Sequence, residues 1–152
     1  NIKMLQRNCY KIKLKSIIDK RGVLVQVQNI TDIPFAFKRI FYIYDVPKNK
    51  KRGCHAHKKQ SQFLICIKGK LKINITINQK KKIFSLSSPK EGLYMAPRVW
   101  LENIDFSNKE KSILLVLTSG NFDKNDYIRN YNDYLKFLKK IDTKKSKSKK
   151  NY

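Results

Sequence analysis

His55 and His57 are the only two histidines among 152 residues, and a single alanine separates them. Side chains on a strand alternate faces, so both imidazoles point the same way. Four residues lie between His57 and Gln62, and six more before Gly69, giving H-x-H-x4-Q-x6-G. Two convergent imidazoles can hold a metal or move protons near neutral pH. Zinc, iron or nickel would need further donors. Gln62 is a weak neutral ligand, and no carboxylate completes the set. A metal-free acid–base pair is therefore expected, with no cofactor. Cys54 beside His55 is on the opposite face of the strand, which separates thiol from imidazole. Cys54 and Cys66 are expected to pack.

These residues need a β scaffold. Residues 10–18 alternate apolar with lysine, 19–22 form a turn, and 23–30 alternate again. Residues 35–46 are aromatic and β-branched, which predicts a third strand. A basic loop at 47–53 leads into one long histidine strand at 54–68. Strands are also predicted at 71–77, 83–86, from Gly92 onward and at 113–117, with turns between them. The period changes after Gly120. Tyr127, Ile128, Tyr131, Tyr134, Leu135 and Leu138 recur every three or four residues, which predicts a helix over 122–141 capped by Asp123 or Asn125. The expected fold is all-β, a sandwich or barrel with a short C-terminal helix. One domain at 1–141 precedes a basic tail at 142–152 that lacks apolar periodicity and is expected to be disordered.

The formal charge of +24 suits an anionic partner. The lysines are spread along a chain rich in Lys, Asn and Ile, so most of that charge reflects composition rather than a polyanion groove. Residues 136–152 are the exception, with eight lysines and one aspartate. No recognised nucleic-acid motif appears. No apolar run reaches the roughly 20 residues that span a bilayer. Three cysteines, an odd number without zinc spacing, suit a reducing cytosol. With no secretory leader visible, a cytoplasmic location is expected. Arginine binds phosphate in a bidentate fork. Arg52, just before the histidines, is the foremost candidate, ahead of Arg21, Arg39 and Arg98. Tyr42 and Tyr44 are candidates for barrel lining.

The histidine spacing resembles the first cupin motif, with Gln62 where metal-binding cupins carry glutamate. The second cupin motif usually supplies another histidine, and residues 92–103 contain none. Four segments narrow the resemblance: Arg39-Ile-Phe-Tyr-Ile-Tyr-Asp-Val-Pro47, Arg52-Gly-Cys-His-Ala-His-Lys58, Gly92-Leu-Tyr-Met-Ala-Pro-Arg-Val-Trp100 and Asp126-Tyr-Ile-Arg-Asn-Tyr131. In this order they resemble the dTDP-4-keto-6-deoxyglucose 3,4-ketoisomerases, the WxcM-like sugar-nucleotide cupins, over residues 10 to 137. The resemblance implies a cupin jelly roll, a homodimer, and a dTDP-linked keto sugar as ligand. It implies transfer of the ketone from C4 to C3, upstream of an aminotransferase that makes 3-amino sugars for bacterial surface glycans.

The resemblance implies catalytic roles for His55 and His57; on the chemistry, His55 is assigned as the better base candidate and His57 as relay or oxygen ligand. The resemblance implies substrate contacts from Arg52, Arg21 and Leu101; Arg39, Tyr42, Gln62 and Trp100 are also expected to contact substrate, and no metal is expected. Arg21 resembles members that form the galacto product, whereas Leu101 departs from the usual polar residue. Two rivals stand beside this reading. One is a 3,5-epimerase-like cupin, a group that lacks the H-A-H pair. The other is a non-catalytic basic cupin that binds a polyanion.

Overall fold

The computed structural model describes residues 7–107 and 111–148. Twelve strands run in the order β1 (Cys9–Lys13), β2 (Ser16–Asp19), β3 (Gly22–Val25), β4 (Arg39–Ile43), β5 (Arg52–His57), β6 (Gln62–Lys68), β7 (Leu71–Ile77), β8 (Lys80–Leu86), β9 (Glu91–Met95), β10 (Trp100–Phe106), β11 (Ile113–Thr118) and β12 (Tyr127–Ile128). A 3-10 turn, Lys124–Asp126, precedes β12, and helix α1 spans Tyr131–Ser148. The pairings are antiparallel and build two five-stranded sheets, β1-β9-β6-β11-β4 and β12-β5-β10-β7-β8, beside a separate β2-β3 hairpin. This is the jelly roll of the cupins. No described helix is long and apolar enough to cross a membrane.

Period-two patterning builds the core. Leu64 and Cys66 of β6, Ile73 and Ile75 of β7, Leu93 of β9 and Leu114 and Val116 of β11 point into the space between the sheets. The alternate residues Phe63, Ile65 and Leu117 face outward onto Leu14, Ile33 and Phe35. A third cluster packs Ala56, Trp100 and Ile128 under Tyr134 of α1. The Tyr134 hydroxyl donates to the Arg98 carbonyl at 2.7 Å.

Several expectations shift, each for an identifiable reason. The run at 10–18 breaks after Lys13, where Leu14 turns into the outer core and its amide bonds the Lys90 carbonyl at 2.7 Å. The strand expected at 35–46 shortens to β4, because Phe35 and Phe37 fold over the outer face instead. The long histidine strand divides at residues 58–61. Their amides bond the Asp126 carbonyl, the Asp126 carboxylate and Ser119 Oγ, so β5 and β6 join opposite sheets.

Strand β10 carries no clean alternation because Glu102 is an extra residue against β7. That bulge lets Leu101 and Ile104, three positions apart, face the same interior. The helix expected over 122–141 begins only at Tyr131, where Asn130 Oδ1 accepts from the Asp133 amide at 3.1 Å. Asp123 caps the 3-10 turn. Residues 142–148, expected to be disordered, continue the helix. Lysine favours helix, and no Gly or Pro interrupts the segment. Thr143, Ser146 and Ser148 hydroxyls bond carbonyls three or four residues back. Residues 149–152 lie outside the described segments.

Candidate active site

A cavity of about 470 Å³ opens between the sheets. Its floor is apolar: Leu64, Leu101, Leu114 and Val116 are all buried. Lys51, Arg52 and Arg129, all exposed, stand at the solvent end. Among the described residues, no carboxylate lines the cavity. An apolar floor under three cations suits a ligand with an uncharged body and an anionic group.

His55 lines this cavity on β5, and its Nδ1 lies 3.2 Å from the Gly53 carbonyl. A carbonyl only accepts, so Nδ1 carries the proton and Nε2 is the basic nitrogen. His57, two residues on, lies behind the cavity and is buried. Its ring meets His55 edge-on at 5.2 Å between centroids, and its Nδ1 lies 2.9 Å from Asp126 Oδ2. The Tyr127 ring packs on both imidazoles, 5.2 Å from His55 and 4.4 Å from His57. Arg129 lies over the Tyr127 ring at 4.5 Å.

Both imidazoles stay neutral at pH 7. Burial pushes His55 down to about 4, and the Gly53 hydrogen bond only partly offsets it. His57, Arg129 and Arg52 push the same way as burial. Burial also lowers His57, while the Asp126 carboxylate opposes that shift.

The structure brings Arg52, His55, Gln62 and Leu101 to one cavity, with His57 directly behind. Gln62 faces His55 from the opposite sheet. Arg39 lies at the edge of the site, 5.2 Å above Phe41 and 5.6 Å above Phe122, two rings that line the cavity. Its Nε donates to Thr118 Oγ1 at 3.3 Å.

Three expected contact residues are elsewhere. Trp100 is next to Leu101 and so faces the other way, into the aromatic cluster under α1. Tyr42 sits between Phe41 and Ile43, which line the cavity, and so points outward to stack on Tyr44 at 6.1 Å. Arg21 is at the tip of the β2-β3 hairpin, its side chain 83% exposed and paired with its own Asp19 at 2.7 Å. Cys54, expected to pack, is exposed, because its positive φ of 57° turns it out of the ladder. Cys66 is buried.

Asp126, Tyr127 and Arg129 were absent from the sequence-derived site. Their signal was a dense polar and aromatic segment, masked by its three-and-four spacing with the helix. Among the described residues, no three His, Cys, Asp or Glu side chains converge to hold a metal ion.

Residues 7–139 match the FdtA family, described as WxcM-like, C-terminal. The chain belongs to this family. A TDP-4-oxo-6-deoxy-alpha-D-glucose-3,4-oxoisomerase from Aneurinibacillus thermoaerophilus is 40% identical over 134 residues, covering 88% of this chain and 95% of the relative. The sugar 3,4-ketoisomerase QdtA from Thermoanaerobacterium thermosaccharolyticum, solved with TDP, is 43% identical. It has a TM-score of 0.82, covering 88% of this chain and 96% of its own. The TDP-quinovose 3,4-ketoisomerase WlaRB from Campylobacter jejuni is 37% identical at a TM-score of 0.80, covering 86% and 98%. As a member of this WxcM-like family, the protein is an isomerase.

Proposed function

We propose that this protein is a sugar-nucleotide 3,4-ketoisomerase that converts TDP-4-keto-6-deoxyglucose into the 3-keto isomer. The observation that carries the reading is His55, a neutral imidazole with its Nδ1 tied to a carbonyl, in a cavity with a cationic mouth. A variant of the Thermoanaerobacterium relative has been solved with TDP-4-keto-6-deoxyglucose. Arg52 and Arg129 hold the diphosphate, and the apolar floor takes the deoxysugar.

The chemistry needs only proton transfers. His55 Nε2 removes the C3 proton. The C3–H bonding pair becomes the C3=C4 double bond, and the carbonyl pair moves to O4. The O3 hydroxyl proton then moves to O4. As the O3 pair forms the new carbonyl, the double-bond pair takes a proton at C4. His57 relays that proton. General acid–base catalysis of this kind contributes about 10²–10⁴-fold. The galacto product is favoured, feeding an aminotransferase that makes a 3-amino sugar for a surface glycan.

Incubation with TDP-4-keto-6-deoxyglucose in D₂O, followed by proton NMR, tests the reading. Ketone transfer without deuterium at C5 is expected, and the H4 coupling of the product reports the C4 epimer. Deuterium at both C3 and C5 would make the protein a 3,5-epimerase. No exchange at all would leave a binding module.

We further propose a homodimer. Ile17, Ile18, Val23 and Leu24 of the hairpin and Ile40 and Ile67 of the outer sheet face are all exposed. A groove of about 390 Å³ connects the two apolar surfaces. Burying them in a second copy removes them from water. Arg21 acts at C4 only where a second copy brings the hairpin tip to the cavity. Sedimentation equilibrium should show a dimer, and Ile40→Glu should shift it toward monomer. A monomeric wild type at micromolar concentration would refute the dimer.

A further inference from the structure

The reaction outlined above leaves one buried carboxylate without a task. Besides the 2.9 Å contact with His57 Nδ1, Asp126 accepts from the Lys59 amide at 2.8 Å on Oδ1 and from the Gln60 amide at 3.4 Å on Oδ2. Its backbone carbonyl accepts from the Lys58 amide at 2.8 Å. A carboxylate surrounded by donors is an acceptor toward all of them, so His57 Nδ1 donates. Nε2 of His57 therefore keeps its lone pair. His55 and His57 are both held through Nδ1, but by different groups. A carbonyl orients an imidazole. A carboxylate orients it and also stabilises the imidazolium.

Resting on the ketoisomerase reading, we propose that Asp126 is a positioning residue that fixes the tautomer of His57 and makes His57 the imidazole that stores the transferred proton. His57 Nε2 is buried and has no hydrogen-bond partner among the described residues. The His55 ring must therefore swing toward it before the proton that leaves C3 for His55 Nε2 passes to His57 Nε2. His57 then carries hydrogens on both nitrogens, opposite the Asp126 carboxylate. The reverse transfer delivers one proton to C4, so the balance closes without any other reactant. The charged groups around His57 divide clearly. Arg39 and Arg129 disfavour its protonation, as does a protonated His55, and Asp126 favours it. The Tyr127 ring packs against it.

Long-range ¹H–¹⁵N NMR of the histidine-labelled wild type reads the tautomer directly. Hydrogen on Nδ1 of His57, with Nε2 bare, is expected. The opposite tautomer overturns the proposal, and this measurement needs neither a variant nor a substrate. Asp126→Asn places a donor opposite Nδ1 and should move the hydrogen to Nε2. It should lower kcat about 10²-fold or more while KM changes less than about threefold. Asp126→Glu, which keeps the carboxylate, should recover part of kcat. An Asp126→Asn protein that melts like wild type and keeps kcat within about threefold would show a purely structural carboxylate. Wild type that shows the expected tautomer but moves no ketone in D₂O would refute the ketoisomerase reading instead.

Discussion

His55→Asn should leave the fold intact and lower turnover about 10³-fold, or about 4 kcal/mol of transition-state stabilisation. Asparagine is close in size and can still donate to the Gly53 carbonyl that His55 Nδ1 bonds at 3.2 Å. It lacks a basic nitrogen, so the C3 proton has no acceptor in the cavity. KM should change little, because the cations at the cavity mouth remain. Turnover within about tenfold of wild type would remove His55 from the base role. The pH profile gives an independent check. Burial holds His55 down to about 4, so it stays neutral and able to accept a proton well below the usual histidine range. Activity should persist through pH 6 and fall only as pH approaches 4. The same shift ties stability to pH. An unfolded histidine binds its proton near 6.5, and the folded one does so only near 4. The stability from a neutral His55 is thus complete above about pH 6.5 and is lost as pH falls toward 4.

Gly53→Ala should cost about 3 kcal/mol of stability and lower the melting temperature by about 10 °C. Gly53 has φ of 139°, which L side chains rarely adopt. An added Cβ would stand 2.7 Å from Asn103 Cα and 2.8 Å from the Glu102 carbonyl oxygen. Both are backbone atoms of β10, so β5 could escape only by leaving its partner strand. Arg52 and His55 flank the position, and the Gly53 carbonyl itself holds His55. Activity should therefore fall further than the melting temperature alone explains. Thermal unfolding with kinetics at 25 °C checks both effects. A loss below about 1 kcal/mol with normal turnover would show that β5 and β10 can part without cost to the site.

Short-range regularities were legible in the chain. Period two placed His55 and His57 on one face and Cys54 and Ala56 on the other, because alternation needs only local strand geometry. The same rule, applied to β4 and β10, separates Phe41 and Ile43 from Tyr42, and Leu101 from Trp100. Those strand positions were readable, but the register and the Glu102 bulge were not, since both depend on the neighbouring strand. Residues 142–148 of the Lys-rich end differ from expectation for another reason. Their lack of apolar periodicity predicted disorder, whereas the helix propensity of their lysines continues α1 through Ser148.

The sequence by itself determined the paired histidines, the arginine that precedes them and the all-β scaffold, because these follow from local spacing and composition. Only the tertiary structure decided what surrounds the pair. Tyr127 and Ile128 share helical spacing with Tyr131, yet they pair with His57 and Ala56 as a strand. Asp126, 69 positions from His57, becomes its hydrogen-bond partner through that pairing. Gln62, next to the histidines in the chain, reaches them instead from the opposite sheet. Long-range strand pairing outweighs local propensity here because it satisfies backbone groups that a helix would otherwise have satisfied, and it buries Ile128 under α1 as well.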